Sequence, residues 1–275
     1  MQVLVIRPNP SRRDYLVAEL WEHGTAGILE DDSRLRAYFP DSVDTSGMVA
    51  AENGEIIDSL FETSIPNYQP NEANTEPVYL GQRFVVLAAS IGCASSPHRT
   101  PLLLKASDAF GSGRHESTQL MVEAMESHIQ PGSVTLDVGC GSGILSEVAR
   151  HLGASTIVAC DIHADAIRTT RETCTDAASF LGSVDAIEAS VADVVLANIS
   201  AKVIDAIAAD LVRVTKPGGL LVLSGFIQDR TPERFRPEKV LERNGWLCWI
   251  CRPELAFADA AESSRSVQPF ETQWW

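Results

Sequence analysis

At 275 residues the chain has room for one large domain or two smaller ones, and for a sizeable core. Its 22 Lys and Arg stand against 37 Asp and Glu, a formal net charge of −15. That balance argues against a binder of duplex nucleic acid, which needs a basic footprint to displace counterions, and fits either a cationic partner or simply an acidic solvated surface.

In chain order, residues 2–7 are predicted as a strand, and Ser11 as the cap of a helix carrying Tyr15, Leu16, Leu20 and Trp21, ended by Gly24. Two short strands at 26–29 and 35–39 follow, and a helical stretch around 56–61 is expected to complete a small α+β unit spanning residues 1–64. The Pro- and Asn-rich run 66–77 has linker composition and centres a linker at 65–82. A strand pair at 84–87 and 102–104 opens the second domain, residues 83–275.

Next comes Asp108-Ala109-Phe110-Gly111-Ser112-Gly113-Arg114-His115-Glu116, a flexible Gly/Ser loop by composition and a candidate lid by position, with Phe110, Gly111 and Gly113 as its lid residues. Beyond it the pattern alternates helix and strand. A helix buries Leu120, Met121, Ala124, Met125 and Ile129, and strands fall at 134–138, 156–160, 193–197 and 220–223. One helix carries Val203, Ile204, Ile207, Leu211 and Val214, and Lys216-Pro217-Gly218-Gly219 turns the chain back into the sheet. Such alternation implies an α/β fold with a parallel sheet covered on both faces. Residues 246–251 and 267–275 are expected to pair as an antiparallel hairpin at its C-terminal edge.

The chemistry concentrates at Leu136-Asp137-Val138-Gly139-Cys140-Gly141-Ser142-Gly143-Ile144. A strand, an acidic residue, three alternate glycines and a helix form a nucleoside-cofactor loop. A dinucleotide site would aim this loop at an anionic pyrophosphate, which Asp137 opposes, and Ile144 stands where G-x-G-x-x-G places its last glycine. The ammonium and sulfonium of S-adenosyl-L-methionine suit the carboxylate, so the loop is read as that of a methyltransferase. Gly139, Gly141 and Gly143 would let the backbone approach the methionine end closely. Asp161, ending the second strand, is placed to accept the ribose hydroxyls or else to cap the next helix. Ser183 and Val184 fall where adenine should lie. Asn198 ends the fourth strand, where its carbonyl could orient an acceptor amine as the catalytic residue, or its side chain could cap a helix.

No metal is expected, because the six histidines and six cysteines show no ligand spacing. Cys248 and Cys251 are formally C-x-x-C, but a strand would point them to opposite faces. No run approaches the ~18 apolar residues of a membrane span. The apolar start is too short for an export signal and the cysteines give no disulfide framework, so a cytoplasmic location without a membrane partner is expected.

The run Ala109-Phe110-Gly111-Ser112-Gly113-Arg114-His115-Glu116-Ser117-Thr118 resembles the A-F-G-T-G-x-H-x-T-T signature of the methyltransferases of ribosomal large-subunit protein eleven. The cofactor loop, Asp161-Ile162, Val195-Leu196-Ala197-Asn198-Ile199 and Leu223-Ser224-Gly225-Phe226-Ile227 are similar to the same family. The family's Trp-x-x-x-Trp-Lys element before residue 84 is absent, and Ala89-Ser90-Ile91 stands in place of its Pro-Ser-Trp. The resemblance implies a class I, Rossmann-like methyltransferase domain, a linker, and a ferredoxin-like N-terminal domain that recognises a cationic ribosomal protein. It also implies S-adenosylmethionine contacts at Thr118, Gly139, Asp161 and Asn198, and methylation of lysine and N-terminal amines. Another protein lysine or a small amine is the alternative acceptor. A cofactor-binding protein without turnover and a dinucleotide-dependent reductase are the other readings.

Overall fold

The computed structural model describes residues 1–25, 27–30, 33–62, 77–88, 98–104, 113 and 115–256. The N-terminal part comprises β1 (Gln2–Pro8), α1 (Arg13–Glu22), β2 (Gly27–Glu30), β3 (Leu35–Phe39) and β4 (Gly54–Phe61). These strands form an antiparallel sheet in the order β2-β3-β1-β4. Leu4 and Ile6 of β1 and Leu35, Ala37 and Phe39 of β3 turn to one face, where Leu16, Val17 and Leu20 of α1 cover them. Order and sense are those of a ferredoxin-like sheet, but residues 40–53 run in turns where that arrangement has its second helix.

Two predictions fail in this region. Residues 56–61 are strand rather than helix, because β1 has an open edge and pairing Gln2 with Phe61 through Ile6 with Ile56 satisfies its backbone groups. Ile56, Leu60 and Phe61 stay exposed, so no apolar helical face is buried there. Ser11 does not cap α1. Asn9 accepts the Ser11 N–H at 3.2 Å and opens a 3-10 turn, Pro10–Arg12, that leads into the helix.

A three-stranded sheet, β5 (Val78–Leu80), β6 (Phe84–Ala88) and β7 (Thr100–Leu104), comes next. β5 falls inside the span expected as linker, of which residues 65–76 lie outside the described residues. Leu80, Phe84, Val86 and Leu102 join the principal core.

The rest of the described chain runs α2 (Glu116–His128), β8 (Val134–Val138), α3 (Ile144–Leu152), β9 (Thr156–Asp161), α4 (Ala164–Thr173), β10 (Ala178–Leu181), β11 (Ala192–Asn198), α5 (Ala201–Ala206), α6 (Ala208–Val214), β12 (Thr215–Ile227), β13 (Pro237–Arg243) and β14 (Trp246–Cys251). Seven strands form one sheet in the order β10-β9-β8-β11-β12-β14-β13. The first five are parallel, and β14 is antiparallel to both of its neighbours. Alternate residues face opposite layers. Val194, Leu196 and Val222 meet α2 and α3, whereas Val195, Ala197, Leu221 and Leu223 meet α5 and α6.

Three details differ from expectation. The helix carrying residues 203–214 is two helices, broken at Ile207. The turn at residues 216–219 lies within β12 as a bulge, where the register jumps from Ala192 beside Thr215 to Val194 beside Leu220. β14 lies between β12 and β13, joined to β13 by an Asn244-Gly245 turn, and residues 267–275 lie outside the described residues.

Candidate active site

Strand register brings the predicted residues onto one edge. Leu196 is level with Asp137, Val138 with Cys160, Leu181 with Asp161, and Asn198 with Ser224. Asp161, the Gly139 turn and Asn198 therefore stand in a row, with Ser183 just past β10. The row crosses the carboxyl ends of the strands where strand order reverses between β8 and β11. Open α/β sheets bind their ligands at such a place.

The glycine turn is knitted to β9. Gly139 and Cys140 donate their N–H groups to the Cys160 carbonyl at 2.9 and 3.1 Å. Gly141 N–H donates to Asp161 Oδ2 at 3.1 Å, and His163 N–H donates to Asp161 Oδ1 at 2.9 Å. Asp161 thus orders the start of α4, and each of its oxygens keeps lone-pair capacity for a further donor. Gly143 precedes α3 against the Thr170 backbone.

Asp137 is 1 % exposed. Ser146 Oγ donates to its Oδ2 at 2.6 Å, while Oδ1 is buried without a hydrogen-bond partner. Burial, opposed by the Ser146 bond and reinforced by the nearby Asp161 charge, pushes the carboxyl up to about 6. Such a group calls for a cationic or hydrogen-bond-donating ligand.

Asn198 does not cap a helix, since Ser200 holds the N-cap position of α5. Its Nδ2 instead donates to Thr118 Oγ1 at 3.4 Å, and its Oδ1 is buried without a partner. Thr118 sits in the first turn of α2, which His115 caps by accepting the Ser117 N–H at Nδ1, 3.2 Å away. The His115 ring meets Trp246 edge-on, 4.3 Å between centroids.

Ile199 is gripped from two sides. A Cβ on Gly139 would stand 2.5 Å from its Cγ2, and a Cβ on Gly225 would stand 2.5 Å from its carbonyl oxygen. The Ile199 N–H also donates to the Ser224 carbonyl at 3.0 Å. These contacts fix the backbone that carries Asn198. Sequence reasoning gave no such role to Ser146, Ile199 or Gly225. The small pair Ser224-Gly225 at a strand end was the available signal.

Val184 is fully buried in the core beneath α6, whereas Ser183 before it is half-buried at the sheet edge. Phe110 and Gly111 lie outside the described residues, while Gly113 is buried against Leu80, Val86 and Ile144 beside the glycine turn. Cys248 and Cys251 do project into opposite layers. Burial pushes the Cys251 thiol up to about 12 and raises Cys248 as well, so neither is a ready thiolate. Among the described residues no group of three or more His, Cys, Asp and Glu could hold a metal ion, and no helix is long and apolar enough to cross a membrane.

Comparison with known proteins agrees with this geometry. A ribosomal protein L11 methyltransferase of Ralstonia pickettii is 35% identical over 247 residues, covering 82% of this chain and 81% of that protein. One from Thermoanaerobacter pseudethanolicus is 28% identical over 253 residues, covering 83% and 82%. The crystal structure of a ribosomal protein L11 methylase from Lactobacillus delbrueckii subsp. bulgaricus shares the fold, with a TM-score of 0.58 at 23% identity over 64% of this chain and 98% of that one. Residues 9–254 match the family described as "Ribosomal protein L11 methyltransferase (PrmA)". With the glycine turn, Asp161 and Asn198 set on one sheet edge, the chain belongs to this family of S-adenosylmethionine-dependent methyltransferases.

Proposed function

We propose that the chain methylates lysine side-chain and N-terminal amines of ribosomal protein L11, and that Asn198 orients the acceptor amine. The observation that carries this reading is the pair of buried, partnerless acceptors, Asp137 Oδ1 and Asn198 Oδ1, on one sheet edge. They fit the cofactor: Asp137 Oδ1 would take its ammonium group, Asp161 its ribose hydroxyls, and Thr118 and Gly139 would line the methionine end. Ser183 and the exposed Ile162 would border the adenine. When bound, S-adenosylmethionine supplies an electrophilic methyl on a cationic sulfur. Asn198 Oδ1 would accept an N–H of the amine and aim its lone pair at that methyl, a contribution of alignment. A lysine amine, ordinarily near ~10.4, must arrive neutral, because an amide takes up no proton.

The N-terminal unit, residues 1–64, would grip the protein acceptor, joined through 65–82 to the methyltransferase domain, 83–275. The net charge of −15 favours a basic ribosomal protein over a nucleic acid. A cytoplasmic site of action follows from that partner.

The test is mass spectrometry of purified L11 incubated with protein and cofactor, beside an Asn198→Ala variant. Additions in ~14 Da steps, one methyl replacing each amine hydrogen, are expected. The variant should lose about 100-fold in initial rate at cofactor concentrations that calorimetry shows to be saturating for it. Cofactor binding without additions would move the acceptor to another protein or a small amine.

A further inference from the structure

Away from the cofactor edge, a buried charged cluster ties α1 to the loop after β12. Arg230 Nη2 donates to Glu19 Oε1 at 3.1 Å across 211 residues of sequence. Glu19 is 8 % exposed, and its other oxygen accepts Asn53 Nδ2 at 2.8 Å. Asn53 Oδ1 in turn accepts Arg12 Nε at 3.2 Å. The Arg12 and Arg230 guanidinium carbons lie 4.2 and 4.9 Å from the centre of the Tyr15 ring. Tyr15 itself packs against the core that α2 and α3 share with the seven-stranded sheet. A desolvated carboxylate held between an amide and a guanidinium is costly to break, because either loss strands a buried charge. Cations on an aromatic ring strengthen the contact further.

The location gives the cluster a consequence for the reaction. Arg230 sits in a turn closed by its own N–H on the Ile227 carbonyl at 3.0 Å, directly after β12. Ser224 of that strand is level with Asn198. A residue anchored on the catalytic edge thus holds the helix that covers the N-terminal sheet.

We propose that Glu19, Tyr15 and Arg230 form an interlock that registers the N-terminal sheet on the catalytic edge, with Arg230 a positioning residue for the protein acceptor. This rests on the reading that the N-terminal unit grips that acceptor. An acceptor so held reaches Asn198 only when the unit is in register. Losing the interlock lowers the fraction of bound complexes that are competent, which reduces kcat and leaves KM and cofactor affinity in place.

The experiment compares wild type, Arg230→Met, Glu19→Met and the double variant, each replacement near in length to the original side chain and unable to make the Glu19–Arg230 hydrogen bond. Each single variant should lose about tenfold in kcat toward L11, and the double should lose no more, since both remove one coupling. KM for L11 and the cofactor dissociation constant should stay within about twofold of wild type. Small-angle X-ray scattering should show a larger radius of gyration for the variants. Unchanged kcat, or losses that multiply in the double variant, would overturn the interlock. If wild type methylates no L11, the functional reading fails separately, and scattering decides: an unaltered curve for Arg230→Met then overturns the interlock as well.

Discussion

At Asp137 a carboxylate is shut away from water, with Ser146 on one oxygen and no protein donor on the other. Its pKa is raised from 3.8 to about 6 chiefly by burial. The folded value exceeds the unfolded one, so this group's contribution to stability is fully present below about pH 4 and is lost as pH rises through about 6. At pH 7.5 the ligand-free protein therefore holds an unfavourable buried charge, on the order of 1–3 kcal/mol. Asp137→Asn should raise the melting temperature by a few degrees at pH 7.5, with the gain vanishing near pH 4 in a calorimetric series. The same variant should bind S-adenosylmethionine more than about tenfold less tightly, because the cation loses its counter-charge. A variant less stable than wild type at pH 7.5 would show that the carboxylate holds the fold rather than the ligand.

Among the elements, two edge strands escaped the sequence reading. β4 borders the N-terminal sheet and β13 the large one, and each leaves apolar residues in solvent, such as Phe61 at 78 % and Val240 at 46 % exposure. With one long side unpaired and one face wet, their alternation is diluted by charge. Interior strands such as β8, β9 and β11 read clearly because both faces are buried. The hairpin joining β13 to β14 did carry a local signal, Asn244-Gly245, whose φ values of 50° and 83° suit a two-residue turn of the primed type. Gly245→Ala should cost about 1–2 kcal/mol, because an L side chain there is forced into the left-handed region. Urea unfolding measures this, and a loss below about 0.5 kcal/mol would mean that the turn does not fix the β13–β14 register.

For the molecule as a whole, cofactor binding couples to stability by mass action. S-adenosylmethionine at 100 times its dissociation constant should stabilise by ~2.7 kcal/mol, a rise in melting temperature of about 5–10 °C for a chain of this size. Differential scanning fluorimetry gives the result in one experiment. A shift with a nicotinamide dinucleotide and none with S-adenosylmethionine would restore the reductase reading. The proposed interlock at Arg230 belongs to this scale too, because its partners are 211 residues apart in sequence.

By itself the sequence determined the glycine turn, the acid before it, and the residues at the ends of the interior strands. These are local features, set by backbone geometry within a few residues and by burial on both faces of a parallel sheet. It determined the family as well, through contiguous signatures around residues 109–118 and 137–145. Tertiary structure decided what those residues touch. Only the fold sets Ser146 on Asp137, Thr118 beside Asn198, Ile199 between two glycines and Arg230 on Glu19. It also removed the capping reading for Asn198, by giving the N-cap position of α5 to Ser200. The physical reason is common to all of these. A side-chain hydrogen bond or a close approach between distant segments depends on strand register and helix docking, which sum many weak contacts across the chain and leave no mark at any one position.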